Sequence, residues 1–297
     1  MTETPQTADL LEATLPRGEK SSLDRLFGAL LPFSGLLLMI TFVVCVSLLM
    51  NMNPLNILRR YNLLTVLIQT TVVAIAALGM TFVIISGGID LSVGSVMALT
   101  TVTIALGLEK MRAWPWAAGL LGIATGGLCG CLNGLMITKL RIVPFVATLG
   151  MWTVARGTAK FLAAEQTVHV PTTWLNDLMI VSLKSPGLWI LLVSVVAMLL
   201  VLRYTTFGRY TIAIGSAEST ARLCGVRVDR MKVGIYTLSG LLTGLAGLLL
   251  FSRLSVGDPT VAVGSELYVI AAVVIGGGSL SGGEGSIAGT LVGALTM

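Results

Sequence analysis

Asp90 is the single charged side chain in the stretch 79–108, GMTFVIISGGIDLSVGSVMALTTVTIALGL. A carboxylate at bilayer depth costs ~2.5 kcal/mol or more, so such a group turns towards protein or a water-filled path. Gly87, Gly88 and Gly94 flank it and let a helix break or a neighbouring backbone approach closely. Two roles fit Asp90. With Ser92 beside it, it can cap and brace an apolar helix over 91–108; alternatively it lines a solute path. Hydroxyl recognition suits neutral groups better, and Ser95, Thr100, Asn133 and Thr148 are of the right type, although each can equally bond between helices. Glu284 is a second acid near the membrane, in GGGSLSGGEG (276–285). That segment lacks the lysine and strand–helix setting of a phosphate loop, so Gly277 and Gly278 suit a broken helix or tight re-entrant turn, with Glu284 either gating or solvated.

Other chemistry is excluded by what is missing. The one histidine, His169, sits in QTVHVP and cannot supply a catalytic or metal constellation. Cys45, Cys129, Cys131 and Cys224 form no disulfide framework, and no metal site is expected. Arg156 and Lys160 end a short apolar run, where snorkelling to the interface is the expected use. No enzyme activity is expected in this chain.

These groups need a scaffold, and the composition says which. Of 297 residues, 55% are hydrophobic and 11% charged, and the mean hydropathy is +0.92. A soluble domain carries about 25% charge, so most of this chain lies in lipid. The net charge of +5 is spread over loops between apolar runs, which points to topology and not to nucleic acid. The reading is an all-α, polytopic bundle of about 8–10 spans: a polar, disordered cytoplasmic tail over 1–25, then one transmembrane domain over 26–297. Runs near the ~20 residues needed to cross a bilayer fall at 26–50, 63–85, 91–108, 113–138, 186–202 and 233–251. Segments 142–155, 267–280 and 287–297 are less regular. Loop 203–232 holds Arg203, Arg209, Arg222, Arg227, Arg230 and Lys232 against Glu218 and Asp229, which puts it in the cytoplasm. Gly122, Gly126, Gly130 and Gly134 form a small-residue ridge, and Gly240 and Gly244 another, for close helix packing.

Within the loop, AIGSAESTARLCGV (213–226) predicts a short helix. Ser216 is its cap, Glu218 its acidic first turn, Arg222 its basic last turn and Gly225 its left-handed stop. A helix of roughly two turns is not stable alone and needs a surface, its own bundle or a partner's groove.

SGGIDLSVGS (86–95), VPFVATLGMWTVARG (143–157), GRYTIAIGSAESTARLCGVRVDRMK (208–232) and AAVVIGGGSLSGGEGSIAGTLVGAL (271–295) occur in that order. Together they resemble the permease subunit of ABC-type monosaccharide importers of the ribose, xylose and galactose group, close to autoinducer-2 permeases. Branched-chain amino-acid permeases share the architecture, but the SGGIDLSVGS wording fits the sugar group better. The resemblance implies a type II importer fold in a bacterial inner membrane, a sugar substrate, and a second permease copy or paralogue. It also implies a periplasmic sugar-binding protein and a cytoplasmic ATP-binding cassette ATPase that holds ATP and Mg, leaving no cofactor in this chain. Glu218, Ala221, Arg222 and Gly225, with Gly215 and Ser216 leading in, match the segment that contacts the ATPase. Gly87, Gly88, Asp90, Ser92, Gly94, Ser95, Asn133, Thr148, Gly277, Gly278 and Glu284 are the candidates for pathway or gate. Relatives continue past GTLVGAL, so the end at Met297 reads as a truncated span. The rival functions are a self-sufficient ion-coupled transporter using Asp90 or Glu284, and a membrane scaffold.

Overall fold

The computed structural model describes residues 22–49, 59–110 and 114–297, with the backbone alone over 22–34 and at 36. Residues 1–21 of the expected tail lie outside the described residues, and 22–25 already belong to the first helix. The chain folds as helices α1 Ser22–Leu49, α2 Arg60–Ile85, α3 Val93–Glu109, α4 Pro115–Lys139, α5 Pro144–Leu162, α6 Pro186–Tyr204, α7 Thr206–Ser216, α8 Glu218–Leu223, α9 Val228–Leu254, α10 Ser265–Ile275 and α11 Ile287–Thr296. A 3-10 turn at Trp174–Met179 and an antiparallel pair, β1 Val168–His169 with β2 Val256–Gly257, close one end.

Sequence sets these elements in simple ways. Pro115, Pro144 and Pro186 open α4, α5 and α6, where a missing N–H costs nothing and φ is already helical. Helix α2 is apolar all round and buried from Ala74 to Ile85, so it is the central post. Helix α6 is as apolar, yet only 6% of its most apolar window is buried; it faces outward. Among the described residues α2, α4, α6 and α9 are long and apolar enough to cross a membrane.

The glycine ridge does what its spacing predicts. A Cβ on Gly126 would meet the Gly240 carbonyl and Gly244, one on Gly130 the Tyr236 carbonyl, and one on Gly134 Val233. Backbones of α4 and α9 therefore touch, which only small residues permit.

Three helices stop by the same device. In α2, α8 and α10 the last turns are closed by Gly88 N–H to Val83 O with Gly87 N–H to Ile84 O, Val226 N–H to Ala221 O with Gly225 N–H to Arg222 O, and Gly278 N–H to Val273 O with Gly277 N–H to Val274 O. The pivots Gly87, Gly225 and Gly277 sit at φ +79°, +83° and +88°, where a Cβ is penalised.

Several expected boundaries change. Run 142–155 is the front of a 19-residue helix, α5, that continues through Arg156 and Lys160. Run 267–280 is not one span: α10 has 11 residues, about half of what a bilayer requires. It turns through 276–286 and returns as α11, with Gly276 packed on Gly289 and Gly293 on Ala272. The broken-helix reading fits this segment. Between β2 and α10 the chain descends along α3, from Gly257 beside Thr101, Val102 and Ala105 to Ala262 and Glu266 beside Gly94.

Candidate functional site

At the basic end, α6 stops at Tyr204, and Thr205 caps α7 by accepting from Gly208 N–H at 3.3 Å. Expectation placed Ser216 at the head of a single short helix. Instead Ser216 is the last residue of α7 and its hydroxyl donates back to Ile212 O at 3.0 Å. The cap position of α8 is Ala217, with no side-chain bond, because the preceding helix has already claimed the serine. The coupling element is thus two helices with a corner.

Helix α8 has six residues, too few to stand alone. Ala221 is buried against the bundle, whereas Leu223 is 88% exposed. Lys232 Nζ lies 2.6 Å from Glu218 Oε2, and Arg222 Nη2 lies 3.2 Å from Glu218 Oε1 and 2.9 Å from Asp229 Oδ1. The Lys232 and Asp229 bonds tie α8 to the first turns of α9, and Arg222–Glu218 braces α8 internally. The hydrogen bond from Lys232 holds the Glu218 carboxyl below the usual carboxylate range.

At the other side of the corner, Gly215 is pressed on the Ile85 carbonyl and on Gly283 N. Gly283 N–H itself donates to Ile85 O at 2.8 Å, and Gly282 lies against Gly215 and Gly87. The end of α2, the end of α7 and the turn after α10 meet here as bare backbone. Glu284 is exposed on that turn, so it joins the joint and not the buried polar group described next.

Directly beyond Gly87 the chain enters that group. Asp90 is 3% exposed, and its Oδ1 accepts from Ser92 N–H at 2.9 Å and from Ser92 Oγ at 2.6 Å. Asn133 Nδ2 donates to Ser92 Oγ at 3.0 Å, and Ser95 Oγ donates to Ser92 O at 2.8 Å. Thr148 Oγ1 accepts from Leu91 N–H and lies 3.2 Å from Ile89 O. Ser92 occupies the cap position of α3, and Asp90 braces it from two residues upstream. Thr100 bonds away from this cluster, to Gly122 O at 3.4 Å.

Sequence reasoning missed Tyr236, whose buried hydroxyl lies against Gly88, together with Ser239 and Thr243 one and two turns along α9. Polar residues at 236, 239 and 243 in an apolar run share a helix face, and that spacing is the signal. Sequence reasoning also misjudged Arg156. It is 8% exposed and does not snorkel: Nη1 donates to Pro259 O at 2.9 Å and to Val261 O at 2.7 Å. No group of three or more metal-ligating side chains occurs among the described residues.

A multi-pass helical bundle with a glycine-broken central post, a carboxylate sealed inside it and a polar helix pair pinned at one end is the architecture of a transport permease. The chain matches, over residues 62–297, the family described as branched-chain amino acid transport system / permease component, and it belongs to that family. It is 42% identical over 269 residues to the ribose import permease protein RbsC of Bacillus subtilis, covering 89% of this chain and 81% of that one. To the ribose import permease protein RbsC of Escherichia coli it is 38% identical over 268 residues, 87% of this chain and 82% of that one. To the fructose import permease protein FrcC of Rhizobium meliloti it is 35% identical over 245 residues, 79% and 68% of the two chains. No solved structure matches the chain.

Proposed function

We propose that the chain is the permease subunit of an ABC importer that carries a monosaccharide across a bacterial inner membrane, with its basic end in the cytoplasm. The names of its relatives, import permeases for ribose and fructose, support the sugar class. The observation that carries the mechanism is the helix pair α7–α8: fixed to α9 by the Arg222–Asp229 and Lys232–Glu218 ion pairs and to α2 by Gly215, it leaves the Leu223 side chain outward. A separate ATPase, holding ATP and Mg, seats α8 in a groove. When it closes, the pair acts as a rigid lever on α9 and on the joint of Ile85, Gly215 and Gly283.

The joint opens onto the loop of Gly87, Gly88, Asp90, Ser92, Gly94 and Ser95, with Asn133 and Thr148 behind it, so displacement there re-forms the path. Gly277, Gly278 and Glu284 flank the cytoplasmic mouth. A sugar-binding protein delivers at the opposite end, and a second permease copy or paralogue completes the channel. The test is to replace Leu223 by Glu, and separately Gly225 by Val, in the assembled importer. Either change should abolish ATPase co-purification and sugar uptake together; uptake that survives loss of the ATPase contradicts the reading.

A further inference from the structure

Arg156 sits in α5 with one Nη committed to two carbonyls, while its Nε and Nη2 are buried and have no partner among the described residues. Glu266, in the first turn of α10, has a buried Oε2 in the same condition, lying against Gly94. Glu266 and Asp258 are the acids whose field falls on the guanidinium, yet the ion pairs among the described residues are all at the basic end. Burying N–H groups and a carboxylate oxygen unpaired at membrane depth costs several kcal/mol, so such groups are kept for a task.

The surroundings say what task. A stripe of α5 next to Arg156 exposes Gly150, Thr153 and Gly157, with Val154 and Phe161 exposed on its far flank, and a Cβ on either glycine would meet nothing within 4 Å among the described residues. Thr260, between the two residues whose carbonyls hold Arg156, is exposed, and its hydroxyl donates to Asp258 Oδ1 at 2.7 Å. Bounded by the apolar residues of α5, this small and hydroxyl-bearing stripe leaves room for a solute next to the buried cation and anion.

We infer that Arg156 and Glu266 form a binding subsite for vicinal hydroxyls within the membrane, where the permease itself grips the sugar in transit. The free edge of the guanidinium presents N–H donors in a fixed plane, matched to two adjacent hydroxyl oxygens, and Glu266 Oε2 accepts a hydrogen bond from a hydroxyl of the same solute. This inference rests on the sugar reading above.

The experiment compares wild type, Glu266→Gln and Arg156→Lys, each in proteoliposomes with the cognate ATPase and binding protein. Saturating D-ribose, D-fructose or L-arabinose is supplied, and sugar moved per ATP hydrolysed is read. Both variants should assemble and hydrolyse ATP as wild type does, while sugar moved per ATP falls about tenfold or more, as expected for lost hydrogen bonds to charged groups. A ratio within about twofold of wild type in Glu266→Gln overturns the subsite, at under ~0.5 kcal/mol. So does failure of that near-isosteric variant to assemble, which would make the pair a structural brace. A wild-type complex that moves none of the three, nor D-xylose or D-galactose, sinks the sugar reading first, and the subsite with it.

Discussion

Gly215 lies so close to the carbonyl of Ile85 that a single added methyl group would overlap the oxygen. One residue belongs to the helix pair at the basic end, the other to the last turn of the central post, and five residues beyond Ile85 comes Asp90. Motion of α7 therefore has a backbone route to the buried acid that no side chain has to relay.

Gly215→Ala tests that route. The methyl cannot fit against Ile85 O and Gly283 N, so α7 must move off the joint at a cost of about 1–3 kcal/mol. ATPase binding through α8 should survive, with uptake falling about tenfold or more. Co-purification and uptake, measured on the same preparation, check this; normal uptake would show that the contact transmits nothing.

Asp90 offers a clean separation of geometry from charge. Asp90→Asn keeps an oxygen for Ser92 N–H and Ser92 Oγ, so stability in detergent should drop by less than about 1 kcal/mol. Asp90→Leu leaves the Ser92 donors unpaired inside the bundle and should cost roughly 1–3 kcal/mol, read as a lowered thermal midpoint. If Asn and Leu destabilise equally, the brace is not what Asp90 supplies.

Acidification should loosen the helix pair. The Glu218 carboxyl is held below its ordinary range by the hydrogen bond from Lys232. Its contribution is thus complete above the ordinary carboxylate range and is lost as pH falls through the depressed value. Proteolysis between α8 and α9 should stay flat from neutral pH down to the ordinary glutamate range and rise only on further acidification. Glu218→Gln should reduce that dependence to the part carried by Asp229, which the hydrogen bond from Arg222 likewise holds below the ordinary range. The pair is partly exposed, so the effect is small and should shrink with added salt.

Much of this was legible in the sequence, and the limits are instructive. Gly126 and Gly130, and Gly240 with Gly244, announced close helix contacts because four-residue spacing of small residues keeps them on one face, although only the fold shows that the two ridges meet each other. Gly225 announced the end of α8 for a similar reason. Ser216 misled, since a serine suits either the head of one helix or the tail of the previous one, and only the fold decides. Arg156 misled more seriously. A lone arginine near the end of a short apolar run reads as interfacial, and the carbonyls that hold it, those of Pro259 and Val261, lie over a hundred residues away. Glu266 was invisible for the same reason, because nothing local shows that the chain ahead of α10 descends beside α3 before that helix begins.

The central claim is that this chain supplies a path and a lever but no motor. The direct measurement is sugar accumulation by proteoliposomes holding the chain alone, and again with its ATPase, binding protein and ATP. The account predicts accumulation against a gradient only in the second case, vanishing when ATP is withheld. Uphill accumulation by the chain alone, driven by an ion gradient, would contradict it.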